Sequence, residues 1–324
     1  MDAEPKISIV IPLFNEIGVF TTLIQQLDVI STKSTTSIEI VLVDDGSIDG
    51  TSLLVIDQAL KDSKYQAVIL SRNFGHQTAI SAGLKCARAS DAIMILDADL
   101  QDPPELLFDF YEKIKNGFDV VYGIRKKRKD MFLKVLSYNL FYRILKRTSY
   151  ISIPIDSGDF CMMSRRVVNI INIMPEQSRF IRGLRSWVGF KQVGVEYERR
   201  QRYAGKSNYS FSKLLQLAFD GLFNFSYFPV KAMTSLGFIS ILTSLFYFIY
   251  VLYIKIFIGD MPSGFTATIF LIILFGGIQL ISLGILGEYI MRIFFQSKER
   301  PLYIIDKMIL NKEIQTINYG KCSK

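Results

Sequence analysis

Histidine is nearly missing from this chain: His76 stands alone in 324 residues. A Ser-His-Asp or Cys-His hydrolase would have to be built on that one imidazole, and zinc sites made of histidines are almost excluded. Cysteine is scarce as well. Cys86, Cys161 and Cys322 are odd in number and lack metal-ligand spacing, which suits free thiols in a reducing compartment. No Gly-x-Gly-x-x-Gly or Walker loop offers a competing nucleotide site. There is no internal repeat and no low-complexity tract. Nor does the N-terminus resemble a secretory leader, because Met1–Lys6 is polar and Ile7–Leu13 is too short an apolar run. What the chain has in quantity is aspartate at the ends of apolar runs, and two very long apolar runs.

Ala232–Ile254 and Phe265–Gly287 each continue for 23 residues without a charge. At about 1.5 Å of rise per residue, each would form a helix roughly 35 Å long, enough to cross a hydrocarbon core of about 30 Å. Soluble core helices of that length rarely lack a charge on every face, so both are read as membrane spans. The joining segment Lys255–Gly264 contains a turn-prone Gly-Asp-Met-Pro-Ser-Gly, so the spans form a hairpin with both chain ends on one side. Lys206, Lys213 and Lys231 precede the first span and Arg292, Lys298 and Arg300 follow the second, whereas the joining segment has Lys255 offset by Asp260. The positive-inside rule then places the bulk of the protein and both termini in the cytoplasm, at the inner (plasma) membrane. The expected organisation is a cytoplasmic domain with interfacial helices over 1–228, a hairpin over 229–291 and a cytoplasmic tail over 292–324.

The formal net charge of +8 is concentrated rather than spread. Arg125–Lys129 and Arg143–Arg147 flank an apolar helix-like segment, Met131–Leu145, and Arg199–Lys206 lies just before the spans. Basic clusters beside a membrane region point to anionic headgroups and phosphate as partners, not to nucleic acid.

The N-terminal half alternates short β-branched runs with helix-length segments. The predicted strands are Ile7–Ile11, Ile38–Val43, Ala67–Leu70, Ala92–Leu96 and Val120–Tyr122; the predicted helices lie near Ile17–Ile30, Thr51–Lys61, Gln77–Ala87 and Pro104–Lys115. Such alternation gives an α/β fold with a mostly parallel, doubly wound sheet, in which ligands bind beyond the carboxyl ends of the strands. The unusual polar residues fall at those ends: Pro12-Leu-Phe-Asn-Glu16, Asp44-Asp-Gly-Ser47, Ser71-Arg-Asn-Phe-Gly75 and Asp97-Ala-Asp-Leu-Gln-Asp-Pro-Pro-Glu105. Asp97 and Asp99 carry the sharpest chemical signal, because two hard carboxylates at a cleft can share a divalent cation with a diphosphate. The competing reading makes Asp102 the cap of a helix starting at Pro103 or Pro104 and the other carboxylates turn residues.

Together with Ser157-Gly-Asp-Phe160 and Arg179-Phe-Ile-Arg-Gly183, these motifs resemble the family 2 glycosyltransferases of GT-A fold. More narrowly they look like the polyprenyl-phosphate glycosyltransferases, the group of dolichol-phosphate mannose synthases and bactoprenol glucosyltransferases. The resemblance runs from about Ile7 to Tyr303, including Gly284-x-x-Gly-Glu-Tyr289 and Arg300-Pro-Leu-Tyr303, and leaves 304–324 without a counterpart.

The resemblance implies that Pro12, Asn15, Glu16, Asp44 and Asp45 hold the nucleoside of a nucleotide sugar. Asp97 and Asp99 would bind Mg²⁺ or Mn²⁺ on its diphosphate, Gln101 would orient the site, and Asp159 would be the catalytic base. Arg125, Lys134 and Ser137 would meet the lipid phosphate; this chain has Val135 where related sequences often carry an arginine. Arg202 and Lys206 would belong to a mobile loop that closes on the leaving diphosphate. A homo-oligomer, for instance a tetramer packed through the spans, is implied as well. The reaction expected is inverting sugar transfer to a polyprenyl (undecaprenyl) phosphate for modification of cell-envelope glycans. UDP-glucose is the first choice of donor; UDP-N-acetylglucosamine, a UDP-aminoarabinose derivative and GDP-mannose are alternatives. A processive polysaccharide synthase would show Gln-x-x-Arg-Trp and more spans, and Ser186-Trp-Val-Gly189 is not that motif. A non-catalytic membrane scaffold would have lost carboxylates that are all present here.

Overall fold

The run Ile-Ser-Ile-Val-Ile-Pro-Leu forms strand β1 (Ile7–Leu13), buried along its whole length. Apolar side chains on both faces of a strand require cover on both sides of its sheet. The computed structural model describes residues 4–126, 157–177, 179–200, 228–257 and 264–315. Strands β2 (Ile38–Asp44), β3 (Tyr65–Leu70) and β4 (Ala92–Ile95) pair in parallel around β1, in the order β3-β2-β1-β4. Helices α1 (Ile17–Lys33), α2 (Thr51–Lys61) and α3 (His76–Cys86) connect them. Every predicted strand and helix of this half is found, with ends that match or are displaced by at most a few residues.

Beyond β4, helix α4 (Leu106–Lys115) leads to β5 (Val120–Arg125), followed among the described residues by β6 (Ser157–Ser164), α5 (Arg165–Ile173), α6 (Ile181–Trp187) and β7 (Gln192–Tyr197). β6 inserts antiparallel between β4 and β5, while β7 runs parallel to β5 on the far side. The sequence marks 292–324 only as a tail, yet β8 (Ile305–Leu310) pairs antiparallel with β3, and β9 (Glu313–Gln315) pairs with β8. Among the described residues the result is one mixed sheet of nine strands, ordered β7-β5-β6-β4-β1-β2-β3-β8-β9. Only β6 and β8 run against the common direction, so most carboxyl ends share one edge.

Alternate residues of each strand decide which layer they meet. Ile7, Ile9, Ile11 and Leu13 pack with buried residues of α1, α2 and α4, including Leu23, Leu27, Val55, Leu107 and Phe110. On the other face α3 approaches so closely that a Cβ on Gly83 would stand 2.3 Å from Val10 Cγ1.

The chain divides into two compact units, Met1–Tyr142 with Ile151–Leu214 and Arg300–Lys324, and Arg143–Tyr150 with Leu215–Glu299. The described part of the second unit consists of α7 (Phe228–Phe257) and α8 (Phe265–Ser297), which touch one another. Pro229–Phe257 and Phe270–Ser297 have mean hydropathies of 2.0 and 2.3, and neither is buried among the described residues. Helices this long and apolar on all sides are suited to lipid and associate the protein with a membrane. α8 continues past its uncharged stretch, where Glu288 and Arg292 form an ion pair at 2.9 Å.

Candidate active site

β2 ends in two buried carboxylates that hold loops. Asp45 accepts the backbone N–H groups of Phe74 (2.7 Å) and Gly75 (2.9 Å). Burial raises its pKa, and those two bonds oppose the rise without cancelling it. The next residue, Gly46, has φ +69°, and a Cβ there would lie 2.4 Å from the carbonyl carbon of Arg72. Only glycine lets these two loops stack at that distance. Asp44 Oδ2 accepts from the Ser47 N–H (3.2 Å) and the Ser52 hydroxyl (2.6 Å), and its Oδ1 has no hydrogen-bond partner among the described residues.

The β1 side is built into the same loop. Asn15, at φ +55°, donates its N–H to Ser47 Oγ and accepts the Ile48 N–H on its side-chain oxygen, both at 2.9 Å. The Glu16 N–H donates to Thr51 Oγ1 at 3.0 Å, and its carbonyl receives the Val19 and Phe20 N–H groups that open α1. Pro12 is buried within β1 opposite Val43. The five residues expected around a nucleoside therefore converge, although Asn15 and Asp45 commit their acceptors to the loops.

The register of β4 against β6 assembles the second half of the site. Ile95 pairs with Cys161 in antiparallel sense, so two further residues bring Asp97 opposite Asp159. Asp99 is buried and its Oδ1 accepts the Gln101 N–H at 3.2 Å, around a turn in which Leu100 has φ +57°. Asp102 is not the helix cap that its Pro-Pro context suggests. α4 begins at Leu106, and the fully buried Asp102 accepts the Tyr197 hydroxyl and faces Arg199 (Nε, 3.3 Å) and Arg125 (Nη2, 3.7 Å). Cationic and hydroxyl partners are what a carboxylate removed from water requires.

Arg125, at the end of β5, also donates to Tyr197 OH at 3.2 Å. A Cβ on Gly158 would lie 2.8 Å from its Nη2, so the glycine of Ser157-Gly-Asp clears room for the guanidinium. Burial works to lower the pKa of Arg125, and Asp102 with Tyr197 raises it further than burial lowers it. Arg199 comes within 4.0 Å of Asp99 Oδ2, and the Arg200 N–H donates to the Gln101 carbonyl at 3.0 Å. The segment after β7 thus lies along Asp99–Gln101.

Asp159 is held from three sides. Gln77 Nε2 donates to its Oδ2 at 2.8 Å, Arg182 Nε lies 3.1 Å from Oδ1, and His76 Nε2 lies 3.6 Å from Oδ2 and equally far from Asp97 Oδ1. Burial pushes the carboxyl of Asp159 up, but Arg182, His76 and Arg185 together hold it well below the usual carboxylate range. For His76, burial lowers the pKa while Asp159 and Asp97 raise it, with a net result of about 9. Asp97 is raised by burial; His76 opposes this, and the carboxylates of Asp102, Asp159 and Asp99 add to it.

That surplus of carboxylates fits a hard divalent cation. Asp97 Oδ1 has no hydrogen-bond partner among the described residues. Among the described residues no group of three His, Cys, Asp or Glu side chains is arranged to hold a metal ion.

Sequence comparison decides the family. The pattern of Glycosyl transferase family 2 matches residues 8–171. The chain is 42% identical over 308 residues to "Uncharacterized glycosyltransferase YkcC" of Bacillus subtilis (strain 168), covering 95% of each. The chain belongs to glycosyl transferase family 2. Two further relatives of this transferase are the "Prophage bactoprenol glucosyl transferase homolog" of Escherichia coli (strain K12), 37% identical over 94% of this chain and 99% of that one, and the "Bactoprenol glucosyl transferase" of Shigella phage SfV, 38% identical over 93% and 98%. The mixed sheet is accordingly a GT-A fold, and the protein is an enzyme of the hexosyltransferase class.

Of the transferase residues expected from sequence, Pro12, Asn15, Glu16, Asp44, Asp45, Asp97, Asp99, Gln101, Arg125 and Asp159 all lie at the strand ends described above, while Lys134, Ser137, Arg202 and Lys206 lie outside the described residues. Gln77, Asp102, Arg182, Tyr197 and Arg199 were not among the expected site residues. Arg182 falls inside the Arg179-Phe-Ile-Arg-Gly183 motif, but its neighbour Arg179 is spent on the carbonyls of Ile171 and Met174, so the motif alone does not say which arginine serves the site.

Proposed function

We propose that this transferase moves a sugar from a nucleotide-diphosphosugar to a polyprenyl phosphate at the cytoplasmic face of the membrane, inverting the anomeric carbon. The observation that carries the reading is the meeting of Asp97, Asp99 and Asp159 with Arg125 and Arg182 at one strand edge, in a chain that also has two bilayer-length helices. Carboxylates suit the metal-diphosphate of a donor, arginines suit the phosphate of an acceptor, and a membrane-associated enzyme suits a lipid acceptor. The relatives named for bactoprenol glucosyl transfer support the same substrate class and make UDP-glucose the first donor to test.

Asp44, whose buried Oδ1 has no hydrogen-bond partner among the described residues, would accept from the base or ribose, and Pro12, Asn15, Glu16 and Asp45 shape the loops around it. Asp97 and Asp99 would hold Mg²⁺ or Mn²⁺, whose chemistry is to offset charge on the departing diphosphate. Arg199, Arg202 and Lys206 would add positive charge on the leaving-group side, and Gln101 would fix the turn that carries Asp99. Arg125 and Arg182, with Lys134 and Ser137, would align the lipid phosphate, which is otherwise repelled by the donor. A phosphate monoester has its second pKa near about 6, so the acceptor is already mostly dianionic at neutral pH. It needs placement more than deprotonation. Asp159 therefore orients Arg182.

Both termini would be cytoplasmic and the protein would assemble as a homo-oligomer, for instance a tetramer; mass photometry in nanodiscs tests the assembly, and a strictly monomeric mass contradicts it. The deciding experiment for the reaction is metal-dependent release of nucleotide with a short polyprenyl phosphate, run over UDP-glucose, UDP-N-acetylglucosamine, a UDP-aminoarabinose derivative and GDP-mannose. Mass spectrometry should find a lipid-linked monosaccharide with one donor. Absence of any lipid product with every donor contradicts the proposal.

A further inference from the structure

Gln77 makes two hydrogen bonds of opposite sense. Its Nε2 donates to Asp159 Oδ2 and its Oε1 accepts the backbone N–H of Ile181, both at 2.8 Å. Gln77 lies in the first turn of α3, Asp159 on β6 and Ile181 at the first position of α6. The opening N–H groups of a helix have no partner within it, and Phe180, which precedes α6, offers no side-chain cap. Gln77 therefore supplies from another element a bond that α6 cannot make for itself.

The residue after Ile181 is Arg182, whose Nε lies 3.1 Å from the other oxygen of Asp159. One oxygen of the carboxylate is thus held by Gln77 and the other by Arg182, and Gln77 also fixes the backbone that carries Arg182. A single amide closes this loop because it is both donor and acceptor. Glutamate could accept from Ile181 but would set a second negative charge against Asp159. Methionine matches the length and can do neither.

We infer that Gln77 is a positioning residue for the acceptor: by holding Asp159 and the first turn of α6 together, it sets how far Arg182 extends toward the lipid phosphate. This rests on the transferase reading above.

The test uses the full-length protein in nanodiscs with the substitutions Gln77→Met and Gln77→Glu. For Gln77→Met, the KM for a short polyprenyl phosphate should rise about 10-fold and kcat should fall by a similar factor, with the donor KM within about 2-fold, as for an interaction made on one substrate's side only. Gln77→Glu should lose about 10³-fold in kcat/KM, about 10-fold more than Gln77→Met, since it adds repulsion to the missing bond. Amide exchange in a peptide spanning 179–187 should quicken about 10-fold in both variants while peptides from β1 and β2 keep their rates. A merely structural glutamine predicts that both KM values move together or that only thermal stability falls, and either result overturns the inference. Unchanged exchange at 179–187 overturns the bridge itself, whatever the kinetics. If the unsubstituted protein makes no lipid-linked sugar with any donor, the transferase reading and the acceptor role fall together; altered exchange would then still establish the bridge as a structural feature only.

Discussion

Arg182 holds Asp159 at 3.1 Å, Nε to Oδ1, in a site where the same carboxylate also receives the Gln77 amide. A carboxylate so placed has its negative charge stabilised against burial, and its pKa falls well below the ordinary range. The resemblance to known transferases assigns Asp159 as base, whereas its surroundings make it a poor proton acceptor near neutral pH.

The consequence is a specific pH behaviour. Asp159→Asn is expected to lower turnover by a uniform factor over about pH 6 to 9, where a phosphate monoester is predominantly deprotonated. Steep recovery of the variant as pH rises above the acceptor pKa would show that proton removal was Asp159's task. Stability gives an independent check. A carboxyl whose folded pKa is depressed contributes stability above the unfolded value of about 4, and that contribution is lost as pH falls toward the folded value. Asp159→Asn should therefore flatten the acid limb of a stability curve below about pH 4, measured by chemical denaturation.

Asp99 lies at the same edge but on the donor side. Its replacement by asparagine keeps the hydrogen bond that accepts the Gln101 N–H and removes the charge. The variant should stay folded and membrane-bound while transfer falls by about 10²-fold or more, the scale seen when a central electrostatic stabiliser is lost. Weakened Mn²⁺ binding, read by electron paramagnetic resonance, should accompany the loss. Near-normal turnover in a folded variant would remove Asp99 from the metal site.

The first four strands and the helices between them were legible because each pairs an apolar run with a clear periodicity, and Thr51–Lys61 is read with its observed ends. β6, β7, β8 and β9 were not, since no local pattern announces an inserted antiparallel strand or a C-terminal return to the edge of β3. The same limit explains Asp102. Asp-Pro-Pro looks like the start of a helix from sequence alone, and only the fold brings Arg125, Tyr197 and Arg199 to that carboxylate. Asp44, Asp97, Asp99 and Asp159 could be named because strand-end carboxylates carry chemistry or match a motif. Gln77 could not, because an amide in a first helical turn is ordinary until its partners are known.

Gly46 offers a test of how the donor loops are built. Alanine there meets the Arg72 carbonyl carbon at 2.4 Å and must also adopt φ +69°. Backbone strain and overpacking together should cost about 3 kcal/mol. Because Asp45 ties the neighbouring Phe74 and Gly75 amides, the donor KM should rise while the acceptor KM stays near its original value. A Gly46→Ala protein with unchanged melting temperature and unchanged donor KM would mean that the two loops do not need this contact.

Topology can be settled by chemistry at two positions. The basic residues lie outside the hairpin, at Lys206, Lys213 and Lys231 before it and at Arg292, Lys298 and Arg300 after it, whereas Lys255 and Asp260 cancel between the helices. Positive charge is retained on the cytoplasmic side during insertion, so the joining segment is expected outside and both ends inside. A maleimide too polar to cross membranes should label a Ser263→Cys protein in intact cells at residue 263 and leave Cys322 unmodified, as located by peptide mass spectrometry. Permeabilised cells should then show Cys322 labelled as well, which proves that it was shielded by the membrane rather than unreactive. Labelling of Cys322 from outside would reverse the orientation and, with it, move the carboxylate edge away from the cytoplasmic nucleotide sugars that the proposed reaction consumes.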